Sequence, residues 1–414
     1  MKADMAAIHR VALKTIYLSP TAVCSAGPVR VQHQQSCKYS ESSELRIIKK
    51  PTTASLKRGT GGRSSFNGIV CTVFGSTGFL GRYVCNRLGK TGTQIILPYR
   101  GDSYDVLPLK LTGDLGQVLF HPFQLRDEDS IRKCMKYSHV VVNLIGRDWE
   151  TKNFKFDDVH VEGARRLARI ARESGVERFV HVSSLNCSEK PTPILMEGGS
   201  NFLKSKWFGE LAVKEEFPTA TIVRPVTVYG QEDRFLSALS STWRKHFRGV
   251  PVVGKGESII KQPLWAGDFG AGIAAIVKDP STAGKTYQFA GPERFKLSDL
   301  IDWMQGYIRF DPVEYGYRRL DLNRSPLFKL KVSLAELSVN HPLGYLHWEG
   351  LERESTTDVL EANLPTLADL GVQPMRLASR IHWEMKLYFV EEYYMQSVGE
   401  FSKPVAPKPV ETVM

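Results

Sequence analysis

The chain has 414 residues, of which 42% are hydrophobic and 24% charged, and this excludes a peptide scaffold, a wholly disordered chain and a collagen-like fibre. The formal net charge is +11, but the first 66 positions hold eleven Lys and Arg against three acidic residues. A basic leader before a nearly neutral body disfavours a nucleic-acid-binding face over the whole protein, so we expect no nucleic-acid partner. The length predicts one large domain or two unequal domains.

The first predicted element is a basic amphipathic helix near the N-terminus. Ile8, Val11 and Ile16 share one helical face, basic residues lie off that face, and Ser and Thr follow with few acidic residues. This pattern is typical of a mitochondrial presequence. We predict a presequence over residues 1–43 and a basic linker over residues 44–66. A flexible basic tail is the alternative, because one acidic residue near the start is atypical of a presequence.

A strand, a glycine-rich turn and a helix come next. The β-rich run Ile69–Phe74 is followed at once by the turn and by a helical pattern that continues to Leu88. In this context the glycines allow a tight turn, the approach of a pyrophosphate and close helix packing, while the helix N-terminus supplies N–H donors. The turn therefore predicts a dinucleotide site, whose residues are Gly75, Ser76, Thr77, Gly78, Phe79, Leu80 and Gly81.

The next predicted strand, Gln94–Tyr99, ends at a basic residue. An NAD-specific site places a carboxylate there for the adenine ribose, whereas Arg100 offers a guanidinium group for a 2′-phosphate. We therefore predict NADP(H) rather than NAD(H). Two alternatives stay open, since Asp102 is close in sequence and Arg100 also fits a solvated arginine at a strand end.

Strands and helices then alternate. Further strands are predicted at Val118–Phe123, His139–Ile145, Phe179–Val182 and Thr221–Val223, with helices between them such as Glu162–Glu173. This order predicts an α/β fold with a doubly wound parallel (Rossmann) sheet. We assign residues 67–230 to an NAD(P)-binding domain, 231–401 to a smaller mixed lobe partly interleaved with it, and 402–414 to an extended tail.

The carboxyl ends of the strands are where such sheets hold a cofactor. Leu144, Ile145 and Gly146 stand at one of these ends, and we predict that they contact the dinucleotide. Asn143 is either part of the same site or a polar residue at a strand end with no ligand.

Several segments in this order make the chain similar to the atypical, extended short-chain dehydrogenase/reductase family. They are the turn at Gly75–Gly81, NLIG at Asn143–Gly146, FVHVSS at Phe179–Ser184, KSKWFGE at Lys204–Glu210, IVRPVTVYG at Ile222–Gly230 and QPLWAGDFG at Gln262–Gly270. The resemblance implies further cofactor contacts at Ser183, Lys206, Pro225 and Val228, with Lys206 at the nicotinamide ribose and Ser184 as an alternative to Ser183.

Working members of this family pair a tyrosine with a lysine four residues later, and the phenol transfers a proton. In this chain Lys206 occupies the lysine position and Phe202 the tyrosine position. A phenyl ring has no ionisable proton, so the resemblance implies cofactor binding without catalysis, and no catalytic residue is assigned. Two alternatives are Tyr229 as a replacement donor and an active NADP-dependent reductase or isomerase of a hydrophobic alcohol or quinone-like substrate.

A closer resemblance covers nearly the whole chain. Leu111–Phe120, the Phe202 replacement, the predicted presequence and Leu364–Val372 are similar to a family of NADPH-binding accessory subunits of mitochondrial respiratory complex I. This resemblance implies a firmly held NADPH, a place on the matrix side of the inner membrane near the quinone entrance, and other complex I subunits as partners. An RNA-binding role is disfavoured, since the body lacks a basic and aromatic platform for single strands.

The predicted C-terminal lobe is rich in aromatic residues. Phe235, Trp243, Phe247, Trp265, Phe289 and Phe295 are predicted core residues rather than parts of a cofactor site. A helix predicted over Met375–Met395 places Ile381, Met385, Tyr388 and Phe389 roughly along one side. That side either packs on its own domain or contacts another subunit or acidic lipid headgroups.

Neither a metal site nor a membrane span is indicated. The six cysteines have no CxxC spacing, so we expect no metal and no disulfide framework. No stretch approaches the roughly 18 consecutive apolar residues of a spanning helix, so the chain is expected not to cross a bilayer by itself.

Overall fold

The structure of this chain is a computed structural model, and its description covers residues 58–59, 61–247, 249–308, 318–338, 341–388 and 404–411. The predicted presequence, residues 1–43, and the predicted linker up to residue 57 lie outside the described residues.

The described strands form a large sheet and three short pairs. In chain order they are β1 (Val70–Phe74), β2 (Gln94–Tyr99), β3 (Val118–Pro122), β4 (Val140–Asn143), β5 (Arg178–Val182), β6 (Thr221–Pro225), β7 (Val228–Tyr229), β8 (Gly249–Val252), β9 (Ile260–Lys261), β10 (Leu264–Trp265), β11 (Thr286–Phe289), β12 (Phe295–Lys296) and β13 (Arg318–Asp321). The short pairs are β7 with β10, β8 with β13, and β9 with β12.

The described helices cover the sheet and build the smaller lobe. They are α1 (Phe79–Lys90), α2 (Glu128–Met135), α3 (Gly163–Glu173), α4 (Asn201–Glu216), α5 (Leu236–Ser240), α6 (Ala266–Lys278), α7 (Leu297–Ile308), α8 (Pro326–Glu336), α9 (Trp348–Ser355) and α10 (Ile381–Met385). None of these helices combines the length and the apolar composition that crossing a bilayer requires.

The large sheet is parallel throughout, and its strand order is β3–β2–β1–β4–β5–β6–β11. At the centre, Cys71 of β1 lies opposite Ile95 of β2 on one side and opposite Val140 of β4 on the other. The order in which successive strands are added changes direction between β1 and β4, since β2 and β3 lie on one side of this point and β5 and β6 on the other. A crevice forms at the carboxyl ends of the strands at such a point. The predicted doubly wound sheet is confirmed.

Buried apolar side chains cover both faces of this sheet, because its strands lie between two layers of helices. One layer contains α1 and α6, and the other contains α2, α3 and α4. In α3 the sequence GARRLARIARE places Leu167, Ile170 and Ala171 on the buried side and its arginines on the other. The helical period of the sequence therefore selects the face that packs on the sheet.

The smaller lobe has a core of its own around α7. Its buried members include Phe235, Leu239, Phe295, Leu300, Trp303 and Met304. A small cluster centred on Phe328 and Val332 of α8 lies beside it.

The two predicted domains are interleaved more deeply than a boundary at residue 230 conveys. Within the predicted lobe, α6 packs on the sheet face that α1 also covers, and β11 extends the sheet beside β6 with Tyr287 opposite Val223. A strand added there pairs with backbone groups that β6 would otherwise leave at an open edge.

The helix predicted over Met375–Met395 is present only in part within the described residues, which end at Tyr388 in this region. A 3-10 turn at Leu377–Ser379 precedes the short α10, and a second turn at Lys386–Tyr388 follows it. The segment before Leu377 is not helical. There the N–H of Met375 donates to the Asp268 carboxylate at 2.6 Å, and Arg376 has an extended backbone. Residues 389–395 lie outside the described residues.

The buried side of α10 belongs to the lobe itself. Ile381 and Met385 are fully buried in the lobe core, and Tyr388 packs partly against it. This supports the interpretation that this side of the segment packs on its own domain.

Two predicted core aromatics are exposed. Trp243 is 46% exposed and Phe247 76% exposed, whereas Phe235, Phe289 and Phe295 are buried as predicted. Both exposed residues lie in an irregular connection between α5 and β8, where no regular face turns their rings inward.

Candidate functional site

Two glycines of the turn between β1 and α1 are held tightly by neighbouring backbone. Gly75 has a φ of +81°, and a Cβ atom there would lie 2.9 Å from the carbonyl carbon of Leu144. A Cβ atom at Gly81 would lie 2.3 Å from the carbonyl oxygen of Gly75. Only glycine fits at these two positions. The turn thereby brings the N-terminus of α1 to the ends of β1 and β4, where backbone N–H groups can bind a diphosphate.

Gly78 differs from the other two glycines. It caps α1 with an ordinary φ of −75°, and a Cβ atom there would meet only the carbonyl oxygen of Gly75, at 3.4 Å. The fold therefore tolerates a side chain at this position. The added atoms would lie beside the N-terminus of α1, on the cavity wall.

A cavity of about 420 Å³ lies along the carboxyl ends of the strands. Its walls combine the glycine turn, the ends of β4, β5 and β6, part of α4, and residues of the smaller lobe. Eleven predicted cofactor residues line it: Gly75, Gly78, Phe79, Leu80, Gly81, Leu144, Gly146, Ser183, Lys206, Pro225 and Val228. The structure thus gathers residues from five separate segments of the sequence on one surface.

Four predicted cofactor residues lie off the cavity wall. Ser76 is fully buried, and its hydroxyl has no hydrogen-bond partner. Thr77 is half-buried, Ile145 packs against the core on the α3 side of the sheet, and Arg100 is exposed at the end of β2.

Arg100 belongs to a group of three arginines at this edge of the sheet. The guanidinium carbons of Arg100 and Arg126 lie 5.6 Å and 4.6 Å from the centroid of the Phe154 ring. Burial, together with the positive charges of Arg100 and Arg234, lowers the pKa of Arg147. Within the part of the chain that the structure describes, no carboxylate pairs with Arg100, Arg126 or Arg147. The group is therefore suited to an anionic ligand.

The sequence analysis did not predict Arg126 as a site residue, although its position after a predicted strand could have indicated it. It follows β3, and β3 lies next to β2 in the sheet, so the parallel arrangement places Arg126 at the same edge as Arg100. Asp102, the alternative partner for a ribose, instead caps the turn that begins at Ser103, where its carboxylate accepts from the N–H of Tyr104 at 3.1 Å.

Lys206 is buried at the ends of β4 and β5. Its Nζ donates to the carbonyl oxygen of Val182 at 3.1 Å, and a Cβ atom at Gly146 would lie 3.3 Å from that nitrogen. Burial lowers the pKa of Lys206 to about 8. The amine keeps donor capacity on the cavity wall, which suits a ribose hydroxyl.

Phe202 lies one helical turn before Lys206 and contacts a cation. The centroid of its ring is 4.1 Å from the guanidinium carbon of Arg353 and 5.8 Å from Nζ of Lys206. Tyr229, the alternative proton donor, is fully buried in the lobe core and does not line the cavity. Burial also raises the pKa of Tyr229, so its phenol stays protonated and enclosed.

The hydroxyl groups near Phe202 are already engaged. Ser183 donates to Sγ of Cys187 at 3.7 Å, and Ser184 donates to the carbonyl oxygen of Leu185 at 3.2 Å. Both serines line the cavity, so the choice between them as the family's hydroxyl position stays open.

Two buried histidines and Asn143 support the strand ends. His160 accepts from the N–H of Arg147 at 3.1 Å, and burial followed by the charge of Lys206 holds its pKa well below the usual range. Asn143 accepts from the N–H of Ile145 at 3.0 Å and contacts Nδ1 of His181 at 3.2 Å. These contacts give Asn143 a structural role at the end of β4.

Asp148 connects the dinucleotide domain to the smaller lobe. One carboxylate oxygen lies 3.0 Å from Nη1 of Arg353, and the other accepts from Arg234. Burial alone would raise the pKa of Asp148, but the charges of Arg353 and Arg234 hold it well below its usual range. These two ion pairs therefore keep the Asp148 carboxylate ionised.

Helix α9 holds the segment that leads into α4. Glu349 accepts from the N–H of Phe202 at 2.9 Å and from the hydroxyl of Ser200. Glu352 accepts from three consecutive backbone N–H groups, those of Ile194, Leu195 and Met196, at 2.8, 2.6 and 3.1 Å. The sequence signal was weak, since only the helical spacing of Glu349, Glu352 and Arg353 marks one side of α9.

The described residues contain no cluster of side chains that could ligate a metal ion. Among these residues, no group of three or more His, Cys, Asp or Glu side chains is arranged to hold an ion.

Comparisons with known proteins bear on the family and the fold of this chain. Residues 71–289 match the model of the NAD dependent epimerase/dehydratase family. The mitochondrial NADH dehydrogenase [ubiquinone] 1 alpha subcomplex subunit 9 of Mus musculus is 44% identical over 78% of this chain and 81% of its own length. The mitochondrial NADH-ubiquinone oxidoreductase 40 kDa subunit of Neurospora crassa is 35% identical over 81% of this chain and 84% of its own. The structure of the dTDP-glucose 4,6-dehydratase DesIV from Streptomyces venezuelae, with NAD bound, shares the fold with a TM-score of 0.57 at 16% identity, covering 77% of this chain and 97% of that one.

Proposed function

We propose, from the premise that this chain belongs to the NAD dependent epimerase/dehydratase family, that it is a non-catalytic accessory subunit of mitochondrial NADH:ubiquinone oxidoreductase (complex I). In this proposal it holds NADPH as a structural ligand and supports the assembly or stability of the peripheral arm near the membrane-arm junction. The names of the relatives from mouse and Neurospora crassa support the assignment to this complex.

The observation that carries the non-catalytic part is the contact between Phe202 and Arg353. The residue one turn before Lys206 offers a phenyl ring without a transferable proton, and a guanidinium carbon lies 4.1 Å from that ring. Lys206 keeps its hydrogen bond to Val182 and can hold a ribose, but it has no phenol to activate. In this proposal the site therefore keeps the lysine that binds the ribose, and Phe202 cannot act as the proton donor.

The residues present fit NADPH. The turn closes on itself so that Gly75 and Gly81 admit no side chain, and α1 directs its N-terminus at the cavity. Arg100 and Arg126, with no carboxylate partner in the described residues, would hold the 2′-phosphate, and Lys206 the nicotinamide ribose. When bound, the dinucleotide supplies a hydride at its nicotinamide, and Phe202 gives no proton to complete a carbonyl reduction.

We infer a place on the matrix side of the inner membrane, with other complex I subunits near the quinone site as partners. The mitochondrial names of the relatives and the basic leader of the sequence support this inference. We also propose that the segment around Trp383 contacts acidic lipid headgroups. This contact is supported by Trp383 and Leu387, which are 61% and 78% exposed, and by Lys386, whose Nζ lies 5.7 Å from the Trp383 ring.

The decisive experiment replaces Gly78 by valine, because a Cβ atom there would meet only the carbonyl oxygen of Gly75, at 3.4 Å, while the residue lines the cavity beside the N-terminus of α1. We expect Gly78→Val to purify without a dinucleotide, as measured by native mass spectrometry, and to lower the amount of assembled complex in cells. The bound ligand stabilises the folded state by about 2.7 kcal/mol when its free concentration is 100 times the dissociation constant, so its loss weakens assembly.

Gly198→Val is the matched control, since a Cβ atom at Gly198 would meet nothing within 4 Å and this residue does not line the cavity. The control should keep both the dinucleotide and the assembled complex. Normal assembly of Gly78→Val with an empty site would overturn the structural role of the ligand.

A further inference from the structure

The sheet order fixes which end of the cavity receives the nicotinamide half of a dinucleotide. Arg100 ends β2, on one side of β1, and Lys206 contacts the end of β5, on the other side. A dinucleotide with its diphosphate at α1 and its adenosine half toward Arg100 must extend the other half toward Lys206 and Phe202.

That end of the cavity carries an excess of positive charge. Its wall presents Lys206, Arg234 and Arg353 against the carboxylate of Asp148. The other two carboxylates of the cavity wall, Glu354 and Asp358, pair with the wall cations Arg244 and Lys261. Three further carboxylates nearby lie off the cavity wall: Glu210 pairs with Arg224, Glu349 binds Ser200 and the Phe202 N–H, and Glu352 binds three backbone N–H groups. The nearby rings of His160 and His181 are neutral, because burial and the charge of Lys206 lower their pKa values.

Arg353 is the cation of this group that the smaller lobe brings closest to Phe202. It is fixed from two sides, by the ring at 4.1 Å and by Asp148 at 3.0 Å, and its Nε has no hydrogen-bond partner. Asp148 also binds Arg234, so it would stay paired if the Arg353 charge were removed.

We infer that Arg353 makes the cavity selective for the reduced nicotinamide ring over the oxidised ring. The inference rests on the proposed function and adds to it the residue that sets the preference for NADPH over NADP⁺. The oxidised ring carries a positive charge that the cations oppose, the more so beside the buried Lys206 where solvent screens less, whereas the reduced ring is uncharged. A guanidinium group also stacks favourably on a neutral planar ring.

The test measures the affinities of the full chain for three probes: NADPH, NADP⁺ and 2′-phospho-ADP-ribose, which lacks the nicotinamide. Wild type should bind NADPH at least about tenfold more tightly than NADP⁺. Arg353→Met should lower that ratio by about tenfold and leave the affinity for 2′-phospho-ADP-ribose unchanged, which also shows that the variant is folded. Arg353→Lys should keep most of the ratio.

Arg376→Met is the matched control, because this arginine of the same lobe is exposed, pairs with Glu293 and does not line the cavity. It should behave as wild type. An unchanged ratio in Arg353→Met, or equal binding of NADPH and NADP⁺ by wild type, overturns the inference and leaves the proposed function standing. If wild type binds none of the three probes, the proposed function is wrong and the inference with it.

Discussion

Phe202 determines what the buried amine of Lys206 can contribute. A lysine beside a phenol favours the phenolate and so prepares a proton transfer, but beside a phenyl ring it acts only as a charge and a hydrogen-bond donor. In this chain the ring is also packed against Arg353, and the hydroxyl of Ser183 donates to Cys187. These contacts are the ones that the proposed binding role of the lysine requires.

Phe202→Tyr tests whether one hydroxyl group restores a dehydrogenase. We expect no measurable NADPH oxidation with a panel of ketones and quinones, because Arg353 occupies the space beside the ring and Asp148 fixes it there. The measurement is the loss of NADPH absorbance with the purified chain, and the fold is checked by thermal unfolding.

A substantial rate in wild type would favour the alternative function, an active reductase or isomerase. A rate that appears only in Phe202→Tyr would show that the missing phenol is the sole obstacle and that Arg353 does not block substrate.

Some residues of the site belong to short continuous sequence motifs, whereas others are brought together only by the fold. Gly75–Gly81 and Lys206 stand in continuous motifs, and the structure gathers most of them on one cavity wall. Asp148, Arg234 and Arg353 reach the same wall from three distant segments, and no pattern in the sequence links them. Their meeting depends on how the lobe packs on the sheet, which sequence periodicity does not encode.

Helix α9 shows how one element of the smaller lobe positions the candidate site. Glu349 holds the start of α4, Glu352 holds the segment before it, and Arg353 contacts Phe202. All three come from consecutive turns of one side of α9. The orientation of the segment that carries Phe202 thus depends on an element nearly 150 residues later in the chain.

Glu352→Ala should destabilise the protein strongly. The carboxylate is fully buried and accepts from three backbone N–H groups, which would be left without partners. Each buried unsatisfied group costs about 1–3 kcal/mol, so we expect a loss of about 3 kcal/mol or more in the free energy of unfolding, measured by urea titration. Glu215→Ala, at a 71% exposed side chain, is the matched control and should change it by less than about 0.5 kcal/mol. A loss below 1 kcal/mol for Glu352→Ala would show that water replaces the carboxylate.

At the level of elements, the alternation of strands and helices was predictable where the hydrophobic period was clear. The six strands up to residue 225 and the helix after the glycine turn lie where the pattern placed them, within one to three residues. The pattern failed around Met375, because a hydrogen bond to Asp268, more than 100 residues earlier, holds the backbone extended there. It also could not reveal that β11 joins the sheet, since strand pairing is a long-range property.

At the scale of the whole molecule, interleaving couples ligand binding to stability. The cavity is built from both lobes, and α6 and β11 return from the smaller lobe to complete the larger one. A ligand that bridges the cavity therefore stabilises both cores together, and its loss should weaken both.

Acidification below about pH 6.5 should destabilise the molecule through two buried histidines. Burial, followed by nearby positive charges, lowers the pKa of His181 to about 3 and of His347 to about 4, against about 6.5 in an unfolded chain. The unfolded state therefore binds more protons than the folded state below pH 6.5, so the stability that the neutral rings provide is complete above that pH and falls as the pH decreases. Each ring accounts for about 2 kcal/mol between pH 6.5 and pH 5.

The check is urea unfolding of wild type and of the double variant His181→Gln/His347→Gln at pH 7 and pH 5. Wild type should lose about 4 kcal/mol more than the double variant over this interval, since glutamine stays neutral at both values. The loss that remains in the variant belongs to His160, whose pKa burial also lowers. Asp233 acts in the opposite direction in both proteins, because burial raises its pKa to about 6 and protonation then favours the folded state. Parallel losses in both proteins would mean that water reaches these rings and that the junction of the two lobes, where His347 lines the cavity, is open in solution.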